Sequence, residues 1–293
     1  MGNSKLENAL AEIACRGQNE MIDNTHYFDF RSNIFGNKMD VRFIRMFLNG
    51  DGNELISKAS SVKSSSMLGY NFFHSISKET PLTIDKIEYT DVAFEVKIPV
   101  INARGGVANM DIVLYNIHGD YLFIESKFLE YESTGPFKIS DPYKNPKKYY
   151  NGELGNKWVR FINEYDTSAK KEYWPGIKQE ICHLIGLSNW INGEQEIKIN
   201  DTPIKREGNV RFINLIFHPD PNRFNKESAA FDSYKKLYDS FHEYVEEAEL
   251  IPSTLKMEFK TYSELWRDIQ SFVSPELKNY LEDHYMQFAA NAD

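Results

Sequence analysis

Cysteine is scarce in this chain of 293 residues, which has two, Cys15 and Cys182. They lie too far apart in sequence for a zinc knuckle or a redox pair, while a disulfide between them stays open. So low a count points to a reducing, cytoplasmic setting. Long apolar runs are missing too. No stretch reaches the roughly 18 apolar residues of a membrane span, and the start carries no basic-then-apolar leader. Position 6, where a myristoylated chain has Ser or Thr, is Leu6. A soluble protein without a membrane anchor is therefore expected. Basic excess is also absent, the net charge being −9. That excludes a protein that coats nucleic acid indiscriminately, because phosphate contacts need a local surplus of Lys and Arg. The only plausible polyanion face lies within 127–178, where ten Lys/Arg meet seven Asp/Glu, a net +3 that leaves −12 for the rest.

What is present is enough to fold. With 41% apolar and 14% aromatic residues, the chain can bury a full core, and it reads as one domain over 1–293. Residues 4–16 place Leu6, Leu10 and Ile13 at helical spacing, and 39–48 do the same with Val41, Ile44 and Leu48. Further helical sequence runs from Asn53 through a Ser-rich piece, with Ser at five of the seven positions 60–66, into the apolar block 67–73. After Pro81 the pattern changes to strands: DVAFEVKIPV (91–100), then 111–116 and 120–128. Residues 131–156 read as a loop. Helices follow at about 156–166 and 176–187, then a buried strand at 211–219. An amphipathic helix with Phe231, Tyr234, Tyr238, Phe241 and Val245 on one stripe leads to a short strand near 255–261 and two final helices. Ser263 and Ser274 are the expected N-caps of those two, the latter followed by Pro275.

The chemistry concentrates in 105–130, GGVANMDIVLYNIHGDYLFIESKFLE. Asp111 heads one apolar run, and Glu125 and Lys127 end the next. Gly119 sits where a three-residue hairpin loop, Ile117-His118-Gly119, needs a left-handed residue. That loop pairs Asn116 with Asp120 and sets Asp111 opposite Glu125, with Lys127 on the same face. A two-residue loop would instead turn Asp111 to the face of Ser126. Two carboxylates side by side on an apolar hairpin repel each other unless a cation or proton compensates. Mg²⁺, which prefers a few carboxylate oxygens plus water and phosphate oxygens, suits such a pair, and Mn²⁺ would substitute. The bland alternative is that Glu125 and Lys127 form a solvated ladder pair at a strand end. A second E-x-K, Glu95-Val96-Lys97 with Asp85 upstream, competes on a more polar strand, and Glu95 could also serve the first site as an accessory group.

Asp111 followed by Glu125-Ser126-Lys127 resembles the PD-(D/E)xK nuclease superfamily, with its restriction-endonuclease-like fold. Within it the chain is similar to bacterial restriction-endonuclease-like proteins through SSSMLGYNFF (64–73), GGVANMDIVL (105–114) and IESKFLE (124–130). Met110 stands where the motif's name has Pro. The resemblance implies an α/β fold with a central mixed β-sheet flanked by helices. Its core would span about 53–219, with helical extensions over 1–52 and 220–293. It implies Mg²⁺ bound by Asp111, Glu125 and the backbone carbonyl of Ser126, a catalytic Lys127, and hydrolysis of DNA phosphodiester bonds. Glu54 is a candidate accessory acid. Gln179 is a further accessory candidate, by a Gln-x-x-x-aromatic pattern on the helix after the sheet, although His183 replaces the aromatic residue expected four positions later. Lys144, Lys147 and Lys148, in the Lys/Tyr-rich segment 138–150, are the candidate nucleic-acid contacts, with tyrosines available to stack on bases. Double-stranded DNA is the expected substrate, and a homodimer would suit cleavage of both strands. A nuclease fold kept as an inactive binding or structural module is the alternative.

Overall fold

A computed structural model describes residues 4–16, 21–23, 25–50, 55, 58–132, 139–168 and 175–292. Its centre is a mixed five-stranded sheet. The strands are β1 (Asp91–Pro99), β2 (Val107–Tyr115), β3 (Tyr121–Lys127), β4 (Val210–Ile216) and β5 (Leu255–Thr261), and they lie side by side in chain order. β1, β2 and β3 form an antiparallel meander, whereas β4 runs parallel to β3 and β5 parallel to β4. Parallel neighbours need long crossovers. Here they are helices α4 (Gly152–Ser168) and α5 (Pro175–Ile191) between β3 and β4, and α6 (Asn225–Glu247) between β4 and β5.

The sequence explains which strands are central. Every residue of β3 and β4 is buried, as expected of strands covered on both faces. One face carries α3 (Ser65–Phe73): a Cβ added at Gly69 would touch both Ile112 and Ser126. The other carries α5, where a Cβ at Gly186 would lie 2.3 Å from Ile98 Cγ2. The α6 stripe of Phe231, Tyr234, Tyr238, Phe241 and Val245 is wholly buried, each side chain contributing roughly 2 kcal/mol of apolar burial. Two further helices, α1 (Lys5–Arg16) and α2 (Val41–Asn49), precede α3, and Phe43 and Phe47 of α2 pack on Phe94 of β1. The chain closes with α7 (Tyr262–Ile269) and α8 (Pro275–His284). One apolar cluster runs from Leu6 to Phe288.

Four expectations are corrected. The segment 220–293 is more than a helical extension, since β5 is the fifth strand of the central sheet. The N-cap of α7 is Thr261, in a capping box with Glu264, while Ser263 donates to the Ala290 carbonyl at 2.6 Å. Ser274 does cap α8, accepting from Leu277 N. The stretch read as a loop contains short 3₁₀ turns at Glu130–Glu132, Asp141–Lys144 and Pro146–Lys148. Its Tyr143 and Tyr149 point inward, the Tyr149 hydroxyl bonding the Tyr143 carbonyl at 2.8 Å, so neither is available to stack on a base. Both cysteines are free, Cys15 exposed and Cys182 buried. Among the described residues no helix is long and apolar enough to cross a membrane.

Candidate active site

The site begins with the turn between β2 and β3. Gly119 has φ +80°, the left-handed conformation the three-residue loop needs. Asn116 fastens that loop: its Oδ1 accepts from the N–H groups of His118 and Asp120, and its Nδ2 donates to Asp120 Oδ2. The resulting ladder pairs Tyr115 with Tyr121 and continues to Ile112 with Ile124. One step further along this register, Asp111 comes opposite Glu125. Because side chains alternate, Ile112 and Ser126 face α3 while Asp111, Glu125 and Lys127 face α5.

The three groups are brought together. Asp111 Oδ2 accepts from Ser126 N at 2.8 Å, and no protein group hydrogen-bonds its Oδ1 among the described residues. Lys127 Nζ donates to Glu125 Oε1 and, at 2.8 Å, to Gln179 Oε1. Gln179 thus reaches the site from α5, as its position four before His183 allows. His183 Nε2 donates to the Asn109 carbonyl at 2.9 Å, and Nδ1 lies 3.5 Å from Glu125 Oε2. That spacing is within ion-pair range, but burial drives the His183 pKa down to about 4. The imidazole is therefore neutral near pH 7 and adds no positive charge.

Charge dominates the electrostatics here. Burial, and then Glu125, push the Asp111 carboxyl up to about 8, against the pull of Lys127 and the Ser126 N–H. For Lys127, burial opposes the ammonium, but Glu125 and Asp111 outweigh it and hold its pKa above the ordinary lysine value. A third acid, Glu180 on α5, is completely buried, and burial followed by the proximity of Glu125 raises its pKa far above the carboxylate range. Sequence reasoning missed Glu180. The signal was a charged residue on the apolar stripe Ile177, Ile181 and Leu184, which are all fully buried.

Asp111, Lys127, Glu130 and Gln179 line a cleft of about 470 Å³. Its opposite wall is the Ser-rich piece: Ser64, which caps α3, together with Ser65 and Ser66, and the rim residues His26, Lys58 and Lys63. Ser126 locks that wall to the sheet, its hydroxyl donating to the Ser65 carbonyl at 3.1 Å and meeting the Tyr262 hydroxyl at 2.7 Å. The rim was not anticipated either, since Lys58 and Lys63 are distant in sequence from the hairpin. Glu130 Oε2 accepts from Phe128 N.

Other candidates lie elsewhere. Glu95 has φ +53°, and its side chain packs beside Gly50 at the end of α2, where it lines a separate groove with Met46 and Glu194. The positive φ interrupts the β1 ladder and diverts the side chain from the Asp111 cleft. Asp85 pairs with Arg211 and Lys260. Lys144, Lys147 and Lys148 lie on the 3₁₀ turns and do not line the cleft. Glu54 is outside the described residues.

The donor chemistry of Asp111, Glu125 and the Ser126 carbonyl is all oxygen, which fits a hard divalent cation such as Mg²⁺. Among the described residues no three His, Cys, Asp or Glu side chains are grouped to hold a metal ion, so two carboxylates would have to be supplemented by main-chain and solvent oxygens. Comparison with known protein families, curated proteins and solved structures finds no match for this chain.

Proposed function

We propose that this protein is a metal-dependent nuclease of the PD-(D/E)xK type that hydrolyses DNA phosphodiester bonds. The observation that carries the reading is the hairpin register, which, continued one step past Ile112 and Ile124, brings Asp111 opposite the buried Glu125, while Asp111 and Lys127 line one cleft. The mixed sheet with helices on both faces agrees with the fold the motif implies. Asp111 Oδ1, one Glu125 oxygen and the Ser126 carbonyl would hold Mg²⁺ or Mn²⁺. A cation so held would supply Lewis acidity at the scissile phosphate and a bound water of lowered pKa. Lys127 keeps its proton and presents positive charge where negative charge grows in the transition state. Gln179 fixes the direction of its Nζ. Lys58, and Lys63 once drawn from its pairing with Glu7, would supply positive charge to flanking phosphates.

The test is incubation of the purified protein with plasmid, single-stranded DNA and RNA, in Mg²⁺ and in chelator. Mg²⁺-dependent cleavage of DNA is expected, reduced about 10²–10³-fold or more by Lys127→Met and by Asp111→Asn, as for loss of a charge-stabilising group. Intact substrates throughout, or variants that cut like wild type, would overturn the reading.

A further inference from the structure

Lys63 stands at the rim of the Asp111 cleft, but its ammonium is already engaged, in an ion pair with Glu7 Oε1 of α1. The two ends of the pair differ. Lys63 has 45% of its side chain exposed, whereas Glu7 has 8%. The carboxylate is therefore a fixed, inward acceptor, and the lysine is the end able to swing toward solvent. Burial makes Glu7 a strong competitor for that lysine, since a carboxylate withdrawn from water depends on its partner more than an exposed one does.

The pair is not what holds the two segments in place. Leu6, Leu10 and Ala14 of α1 are buried in the core. Leu6 N donates to Glu227 Oε1 at 3.1 Å, and Lys5 Nζ to the Arg223 carbonyl at 2.6 Å. Glu7 Oε2 accepts from Ser4 N at 2.8 Å, and Glu7 N donates to Ser4 Oγ at 3.2 Å, so the first turn of α1 is capped without help from Lys63. On the other side, Val62 N donates to the Thr25 carbonyl and Ser64 N to the Ser61 carbonyl, and Ser64 caps α3. Losing the pair would release the lysine and leave both walls standing.

A phosphate at the rim can meet Lys63 only by taking it from Glu7. The exchange gains one phosphate contact and loses one ion pair, so this lysine adds less affinity than an unpaired one would. We propose that Glu7 is a positioning residue that limits the affinity of the cleft for a nucleic-acid backbone, by holding Lys63 until a phosphate displaces it. This rests on the nuclease reading of the Asp111 cleft. The N-terminal helix thereby sets a property of a site built on the β2–β3 hairpin.

The test is steady-state cleavage of a DNA duplex in Mg²⁺ by wild type, Glu7→Gln, Lys63→Met and the double variant, over a range of KCl concentrations. Glutamine keeps the shape and the acceptor for Ser4 N. Glu7→Gln is expected to lower KM about fivefold or more, the effect of removing a partly exposed ion pair. Its kcat should not change, because binding gained equally in ground and transition states alters KM alone. In the Lys63→Met background the same change should leave KM unaltered, since no lysine remains to be released. The kcat/KM of Glu7→Gln should also fall more steeply with salt than that of the double variant, by about 0.9 in logarithmic slope, the value for one phosphate contact on duplex DNA. A merely structural Glu7 would move neither quantity. An unchanged KM in Glu7→Gln, or an equal drop with Met at 63, would overturn the inference. Thermal unfolding checks that the variants fold; if Glu7→Gln does not, Glu7→Met, of similar volume, carries the same comparison. Wild type that leaves the duplex intact would defeat the nuclease reading and this inference with it, whereas cleavage without coupling between 7 and 63 would defeat only this inference.

Discussion

At the scale of single residues, burial decides more than identity does. Asp111, Glu125, Lys127 and Gln179 were legible because each sits on an element of strict period, so that spacing predicts facing. Glu180 was not, because the importance of its position follows from how α5 lies on the sheet. Tyr143 and Tyr149 were misjudged for a related reason: a Lys-rich context suggests exposure, but the rings are packed in the core. Burial also has a pH consequence away from the site. His74 stacks on Tyr70 and His284 on Tyr280, and burial lowers the pKa of both imidazoles. In the unfolded chain imidazole titrates near pH 6.5. Between that value and the lower folded values the unfolded state binds more protons, so the two residues add stability above about pH 6.5 and lose it as pH falls. Replacing both with Gln should flatten the dependence of the urea midpoint on pH between about 7.5 and 5. An unchanged dependence would contradict this assignment.

At the scale of elements, the β2–β3 hairpin shows why some structure can be read directly. A glycine at the left-handed position and an asparagine that bonds across the loop fix the turn, and a period of two then fixes every face along both strands. Caps are more local and more easily misplaced: Thr261 and Ser263 both precede the apolar face of α7, and the capping box with Glu264 selects Thr261. Docking of α5 depends on Gly186, and here two effects oppose each other. Alanine would favour the helix by about 1 kcal/mol, but its Cβ would lie 2.3 Å from Ile98 Cγ2 and 3.2 Å from the Pro99 carbonyl. Overpacking of this kind costs about 1–3 kcal/mol. Gly186→Ala should therefore lower stability in urea denaturation, by about 1 kcal/mol net. A gain in stability would mean that α5 can slide on the sheet without cost, and that the placement of Gln179 and His183 is looser than described.

At the scale of the whole molecule, the sheet organises everything else. Its strands follow one another in chain order, so the meander that carries the acids and packs against α5 sits at one side and the parallel strands covered by α6 at the other. The strand positions were legible, including 255–261. That this strand joins the same sheet was not, because pairing across the long α6 crossover leaves no local trace in sequence. The cleft has the same origin. Its walls come from the Ser-rich segment before α3 and from the end of β3, more than fifty residues apart in the chain and joined through Ser126, Ser65 and Tyr262. Under the proposed function, the negative overall charge would leave local lysines, rather than a broad basic surface, to draw a polyanion to that cleft. The central claim is that Asp111 and Glu125 share one divalent ion there, and locating Mn²⁺ by anomalous diffraction from crystals of the protein tests it most directly. The account predicts one peak with an oxygen of each carboxylate at about 2 Å and Lys127 Nζ moved off Glu125. No peak at saturating Mn²⁺, or a peak held by other residues, would contradict it.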